Sequence, residues 1–437
     1  DQKDLIKKIK NYNKFLNPET LNKAYNFALK AHKNQKRDSG DPYLTHPVAV
    51  ANILTELKLD SATIATGLLH DTIEDTKITY DIVQKEFGTE VADLVEGVTK
   101  ISELEGKVIE NSKAENIRKL IRSIPIPIDQ LPIIHVAGTN GKGSTCAFID
   151  SILRKHGEKN GLFTSPHLIS FCERIRVNGK PISEREISKR INDIKALVND
   201  WNEEPTFFEI TTALALEYFV DEKVDAAVLE VGLGGRLDST NIVKPKVCVI
   251  TPISLDHQHI LGESISEIAI EKAGIIKDNS CVIIGRKQES IMPIFNKVAK
   301  EKNTEIIYSK EYSDKYDSDL KGDYQIENIA TCVGAIRELQ KKGWRILEKN
   351  IKNGIKNCAA NTKILGRWHI LNRKPLTICD TAHNEDGVNK IVKQIYQTKY
   401  NNLHFILGLV DEKKRKKIFL HLPKKATYYF CKANNER

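Results

Sequence analysis

Between Ile133 and Gly157 the chain has few ways to fold. Ile133 to Ala137 is an apolar run of strand length, Gly138, Gly141 and Gly143 follow within six residues, and apolar positions at Phe148, Ile149, Ile152 and Leu153 then recur at helical spacing up to Gly157. The spacing predicts a buried strand, a glycine loop and a helix. Glycines let backbone N–H groups approach a polyphosphate with no Cβ in the way, the helix N-terminus adds partial positive charge, and Lys142 supplies a mobile cation. That chemistry points to a nucleoside triphosphate; a glycine turn with no ligand is the alternative.

The chain of 437 residues has room for two or three domains. Its net charge of +9 comes from 67 basic and 58 acidic residues with the signs interspersed, apart from a basic cluster at Lys413 to Lys417. A lysine-rich solvated surface accounts for this, so nucleic acid is not an expected partner, whereas small anionic substrates are compatible with it. No apolar run is long enough to span a bilayer, and no secretory signal opens the chain. The eight cysteines include no Cys-x-x-Cys pair and read as reduced, buried residues of a cytoplasmic protein. A monomer acting on small molecules is the expectation. All the cysteines and tryptophans lie after residue 140, so the first part of the chain differs in composition from the rest. Asp1 at the start, and Arg437 soon after the apolar run Ala426 to Cys431, read as cut ends.

The first segment is helical by pattern, with apolar stripes at Leu21, Ala24, Tyr25, Ala28 and Leu29, at Val48 to Leu57, and at Ile64, Leu68 and Leu69. His46 precedes Pro47 in an expected turn, and His70 and Asp71 end the third stripe. A continued helix sets His70 beside Glu74 and Asp71 beside Asp75. Imidazole with carboxylate suits a divalent metal such as manganese, although such a pair alone is more often structural. The longer text, Ala31-His-Lys-Asn-Gln-Lys-Arg-Asp-Ser-Gly-Asp-Pro-Tyr-Leu-Thr-His-Pro47 with Leu68-Leu-His-Asp-Thr-Ile-Glu-Asp-Thr76, resembles the HD hydrolase domain of the RelA/SpoT alarmone family. The resemblance implies that His46, His70 and Asp71 ligate Mn2+, that Glu74 and Asp75 position the attacking water, and that Arg37 contacts a guanine nucleotide. It runs through Ala114-Glu-Asn-Ile-Arg-Lys-Leu120 and then stops, before the sequence that supplies the family's fourth ligand and part of its nucleotide pocket. A working pyrophosphohydrolase is therefore not expected.

Pro125, Pro127 and Pro132 mark a connector. Beyond it, Gly138-Thr-Asn-Gly-Lys-Gly-Ser-Thr145 departs from the common Walker spacing, since Val136 and Gly143 stand where that pattern needs glycine and Ser or Thr. With Val231-Gly-Leu-Gly-Gly-Arg-Leu-Asp-Ser-Thr-Asn241 and Asp380-Thr-Ala-His-Asn384, it resembles the folylpolyglutamate synthase/dihydrofolate synthase branch of the Mur ligase superfamily. The fold implied is α/β: an all-α HD-like segment (1–122), a connector (123–132), a P-loop central domain with a mainly parallel sheet (133–300) and an incomplete α/β C-terminal domain (301–437). A natural fusion and a misassembled reading frame both fit the joint, and pieces missing on each side favour the second.

The resemblance also implies roles. ATP is held by Gly138, Thr139, Asn140, Gly141, Lys142, Gly143, Ser144 and Thr145, with Asn328, Arg367, Asp380 and His383. Ser165, in Ser-Pro-His167, and Glu230, at a strand end, bind magnesium, and the segment around Ser165 contacts the pterin. His257 binds a second magnesium, supported by Asp256. Lys272 is carbamylated, which turns a cation into an anion. Gly366-Arg-Trp-His369 has His369 where the family has glutamate, while Arg367 keeps its role towards the transferring phosphates. The reaction expected is ATP-driven amide formation through an acyl phosphate, joining L-glutamate to folate or dihydropteroate, with Lys142, Lys272, His257 and Arg367 as the catalytic set. The alternatives are an alarmone pyrophosphohydrolase in the first segment and an inactive chimera that only binds nucleotide.

Overall fold

The apolar stripes of the first segment fold as helices in the computed structural model, which describes residues 6, 18–33, 35, 42–56, 61–89, 91–92, 95, 113–124, 127–201, 205–309, 316–408 and 418–431. Contacts divide the chain into one compact unit within residues 1–108 and another spanning Ile109–Lys432. In the first unit, α1 (Pro18–Ala31), α2 (Thr45–Glu56), α3 (Ser61–Asp75) and α4 (Tyr80–Phe87) bury Leu21, Ala24, Ala28, Ala51, Ile64, Leu68, Leu69 and Val83 together. Leu29 falls off the expected stripe at 46% exposed, because one residue past Ala28 turns about 100° round the helix. His46 is not in a turn: α2 already begins at Thr45, and Pro47 fits a first turn, where its missing N–H goes unused.

In the second unit the chain enters through α5 (Lys113–Ser123), whose Ile117 and Leu120 pack with Ile124, Leu131 and the sheet residues Ile133 and Phe163. This helix carries first-segment text, yet its apolar face lies in the core of the second unit. A leucine buried as fully as Leu120 contributes about 2 kcal/mol from removed apolar area. The elements that follow are β1 (Ile133–Ala137), α6 (Lys142–His156), β2 (Asn160–Phe163), β3 (Ile175–Val177), β4 (Lys180–Pro181), α7 (Glu184–Val198), α8 (Phe207–Asp221), β5 (Ala226–Glu230), β6 (Val247–Ile250), α9 (Gln258–Leu261), α10 (Ile265–Ala273), β7 (Cys281–Ile284), α11 (Met292–Glu301) and β8 (Glu305–Tyr308). The sheet has the order β4-β3-β2-β5-β1-β6-β7-β8, parallel except where β3 and β4 turn back. Beyond β7, the short, half-exposed β8 adds an edge.

Alternation along β1 shows how the layers form. Ile134 and Val136 face the cluster built with α6 and two later helices, α12 (Gln325–Lys341) and α13 (Glu348–Lys356), while Ile133 and Ala137 face the clusters on the other side. Strands buried on both faces are continuous apolar runs, which is why these were easy to read. Gly354 of α13 lies against the backbone of α6: a Cβ there would stand 2.6 Å from Ile152 Cα. The remainder comprises α14 (Cys358–Thr362), the antiparallel pair β9 (His369–Arg373) and β10 (Leu376–Cys379), α15 (Glu385–Gln397), and the parallel pair β11 (His404–Leu407) and β12 (Thr427–Phe430). Among the described residues no helix is long and apolar enough to cross a membrane. The basic cluster at 413–417 lies outside the described residues.

Candidate active site

The glycine loop is held where β1 and β6 end side by side. Gly138 has φ +139°, and a Cβ on it would fall on Thr251 Oγ1; Gly141 has φ +95°, and its Cβ would fall on Asn328 Oδ1. Both positions need glycine for conformation and for space. The N–H groups of Thr139 and Asn140 donate to Pro252 O at 3.0 and 3.3 Å. α6 then starts at Lys142, whose ammonium folds back on Gly138 O (3.2 Å) and Thr139 O (3.4 Å).

A cavity of about 150 Å³ opens over this loop, lined by residues 139–144, Ser165, Glu230, Tyr324, Asn328, Arg367, Asp380, His383 and Lys390. Most of the expected nucleotide and magnesium residues therefore share one space. Thr145 does not: it is fully buried behind the loop. Glu230, at the end of β5, is 5% exposed, and burial raises its carboxyl above the usual range against the opposing pull of Lys142, Arg367 and the Ser165 N–H at 3.2 Å. The place of a Cβ on Gly143 is 3.5 Å from both Glu230 Oε2 and Arg367 Nη2, so a carboxylate and a guanidinium flank the start of the helix. Two oxygen donors beside a polyphosphate cradle suit a hard cation such as magnesium, and its charge would keep the buried Glu230 ionised.

Asp380 is held by three donors: Tyr324 Oη at 2.6 Å, Trp368 N–H at 2.7 Å and Ala382 N–H at 3.0 Å. Arg367 donates to Gly366 O and to Thr381 Oγ1. His257 lies outside the cavity lining. It has φ +51°, and its Nε2 is 3.9 Å from Asp256 Oδ1, while His383 Nε2 approaches Asp256 Oδ2 at 3.3 Å. Donor atoms of Asp256, His257 and His383 lie within 4.8 Å of one another, and of these His383 also lines the cavity with Glu230 and Ser165. Lys272 is 4% exposed; burial first, and Lys142 second, pull its amine down to about 7, against Asp256, Asp238 and Glu271.

Sequence reasoning missed Tyr324, Thr381, Asn384 and Lys390. A tyrosine or asparagine in a loop is ordinary, and only the fold shows what it faces.

In the first unit, His46 Nε2 and His70 Nε2 are 3.2 Å apart, with Asp71 carboxylate oxygens at 3.6 and 2.9 Å from them. His70 Nδ1 pairs with Gly67 O at 3.0 Å, an arrangement that directs Nε2 at a ligand. Burial pushes the Asp71 carboxyl up, but His70 and His46 outweigh it and leave the group below the usual range. Two imidazoles and a carboxylate suit a divalent transition metal. The Tyr43 hydroxyl meets Asp75 and lies 3.1 Å from Asp71 Oδ2. Arg37 and the Glu74 side chain lie outside the described residues.

With this geometry in hand, comparison with known proteins is informative. Residues 24–129 match the HD domain, and residues 136–372 match the Mur ligase middle domain. The chain is 37% identical over 316 residues to the dihydrofolate synthase/folylpolyglutamate synthase of Bacillus subtilis (strain 168), a stretch covering 65% of this chain and 72% of that protein. A solved FPGS-AMPPCP-folate complex superposes with a TM-score of 0.68 at 28% identity, covering 76% of this chain and 88% of that one. E. coli FolC in complex with DHPP and ADP superposes with a TM-score of 0.59 at 31% identity, covering 70% and 76%. Fold and sequence agree, and the chain belongs to the folylpolyglutamate synthase/dihydrofolate synthase family of Mur ligases, ATP-dependent ligases, with an HD domain ahead of the ligase part.

Proposed function

We propose that the second unit binds ATP in the cavity over Gly138–Ser144 and uses it to join the amine of L-glutamate to a carboxylate of a folate or of dihydropteroate. The observation that carries this reading is the convergence of Lys142, Ser165, Glu230, Asn328, Arg367 and Asp380, from six separate stretches of chain, on one cavity. ATP phosphorylates the acid to an acyl phosphate, and the glutamate amine displaces phosphate. Such a transfer needs charge compensation and alignment more than covalent help. Lys142 and Arg367 supply cations, the N–H groups at the start of α6 align the phosphates with Asn328, which lies against Gly141, and Asp380, fixed by three hydrogen bonds, contacts the nucleotide with His383. Glu230 and Ser165 hold Mg2+, which neutralises phosphate charge when bound. His257, with Asp256 and His383, can hold a second cation. Lys272, with its amine near 7, is neutral often enough to add CO2, giving a carbamate that offsets the charge of Lys142.

The test is ATP turnover by the full chain with each substrate left out in turn. ADP release that requires both the pteridine acid and glutamate supports the reading; release indifferent to either one sinks it. A second reading belongs to the first unit. The His46, His70, Asp71 group supports Mn2+ binding, with Asp75 joined to it through the Tyr43 hydroxyl, as in an alarmone pyrophosphohydrolase. Manganese-dependent pyrophosphate release from guanosine tetraphosphate would establish that activity.

A further inference from the structure

Asn384, the N-cap of α15, is 3% exposed and uses its whole amide. Its Oδ1 accepts from Gly387 N–H at 3.0 Å, capping the helix, and also lies 3.1 Å from Asn140 Nδ2. Its Nδ2 donates to Asn140 Oδ1 at 2.9 Å and to Asp256 Oδ2 at 3.0 Å. Asn140, 244 positions earlier, lies in the glycine loop, and its Nδ2 also reaches Asp386 Oδ2 at 3.0 Å and Ser254 Oγ at 3.2 Å. A helix cap needs only the Oδ1 bond, and serine or aspartate would provide it. Asparagine adds two N–H donors, and both are aimed at the ATP side: one at the loop, one at the acid that faces His383.

We propose that Asn384 is a positioning residue, an interlock tying the N-terminus of α15 to the glycine loop and to Asp256. This rests on the ATP reading for its purpose, though not for its existence. Asp380 and His383 stand four and one residues before Asn384, so the amide pair fixes the strand-to-helix turn that carries them over the cavity. The tip of the loop, Asp256 and that turn then move as one body, and nucleotide on the loop is felt at α15.

Asn384→Asp keeps the capping oxygen but replaces the N–H donors with an anionic oxygen facing Asp256, and Asn384→Ser keeps the cap while falling short of both partners. Amide hydrogen exchange on the full chain without nucleotide should show residues 138–143 exchanging about tenfold faster in both variants, with Val388–Gln397 at wild-type rates. Unchanged exchange in the loop, or loosening confined to α15, would mean a mere cap and overturn the interlock. In AMPPCP binding measured by calorimetry, Asn140→Ala and Asn384→Ala should each weaken affinity about tenfold, and the double variant no further. An additive loss of about a hundredfold would overturn it too. If the wild-type chain does not take AMPPCP, the ATP reading falls, and the exchange result alone decides the interlock.

Discussion

The two units assemble their polar groups in opposite ways. In the HD unit, His46, His70 and Asp71 come from two helices close together in the chain, α2 and α3, so the group is set by the packing of one local helix pair. In the ligase unit, the cavity needs Lys142, Ser165, Glu230, Asn328 and Asp380 delivered together by a parallel sheet and the elements after it. A local site can keep its donors when surrounding structure changes, whereas a site made by long-range packing stands or falls as a whole. The largest expected effect tests the second half of that statement. Lys142→Ala should lower pteridine- and glutamate-dependent ATP turnover about 10³-fold, as loss of a phosphate-facing cation does, without altering Mn2+ uptake by the first unit in calorimetry. Altered metal uptake would break the comparison.

Next in size is a test of which core owns α5. Leu120→Ala should cost about 3 kcal/mol and lower the melting transition of the ligase unit, whereas Leu69→Ala, of similar cost, should leave that transition in place. Tryptophan fluorescence reads this directly, because Trp201, Trp344 and Trp368 all lie in the second unit. If Leu69→Ala moved the signal equally, the units would be melting as one.

A smaller effect concerns Lys272. Lys272→Ala should reduce turnover about 10²-fold and recover in part with added acetate, which replaces the lost anion. In the wild type, a carbamate signal from ¹³C-bicarbonate should be strong at pH 8 and lost at pH 6, since the amine near 7 must be neutral to react. Smallest is Asp150 on α6, fully buried, its carboxyl pushed up to about 6 by burial, with Asn160 Nδ2 at 2.6 Å as its close donor. The folded state holds this proton more tightly than the unfolded one, so stability from this group is present below about pH 4 and lost as pH rises through 6. Asp150→Asn should therefore raise stability at neutral pH by about 2 kcal/mol and remove that slope from a chemical-denaturation series.

What could be read in the sequence follows the same division. Glu230 and Asp380 came with the family resemblance, since an acid at the end of a strand says little by itself, whereas strand β1 and the glycine loop declared themselves because a short apolar run leading into closely spaced glycines has few readings. α5 did not. An apolar stripe such as Ile117, Leu120 and Ile124 reports that a face is buried, never against what, and its text belongs to one family while its contacts belong to the other. The resemblance set Asp256 behind His257 at a second cation; that His383, assigned to the nucleotide, stands with them could not be inferred from spacing, and neither could the left-handed backbone of His257 ahead of α9. Nor could the Asn140–Asn384 pair, for which no local pattern exists.

α5 also sets where this chain can be divided. A fragment begun at the prolines after Ser123 would strip Ile117 and Leu120 from against Ile133 and Phe163 and leave the sheet with a bare apolar flank. A ligase half meant to stand alone has to include α5 from Lys113, carrying with it words borrowed from its neighbour.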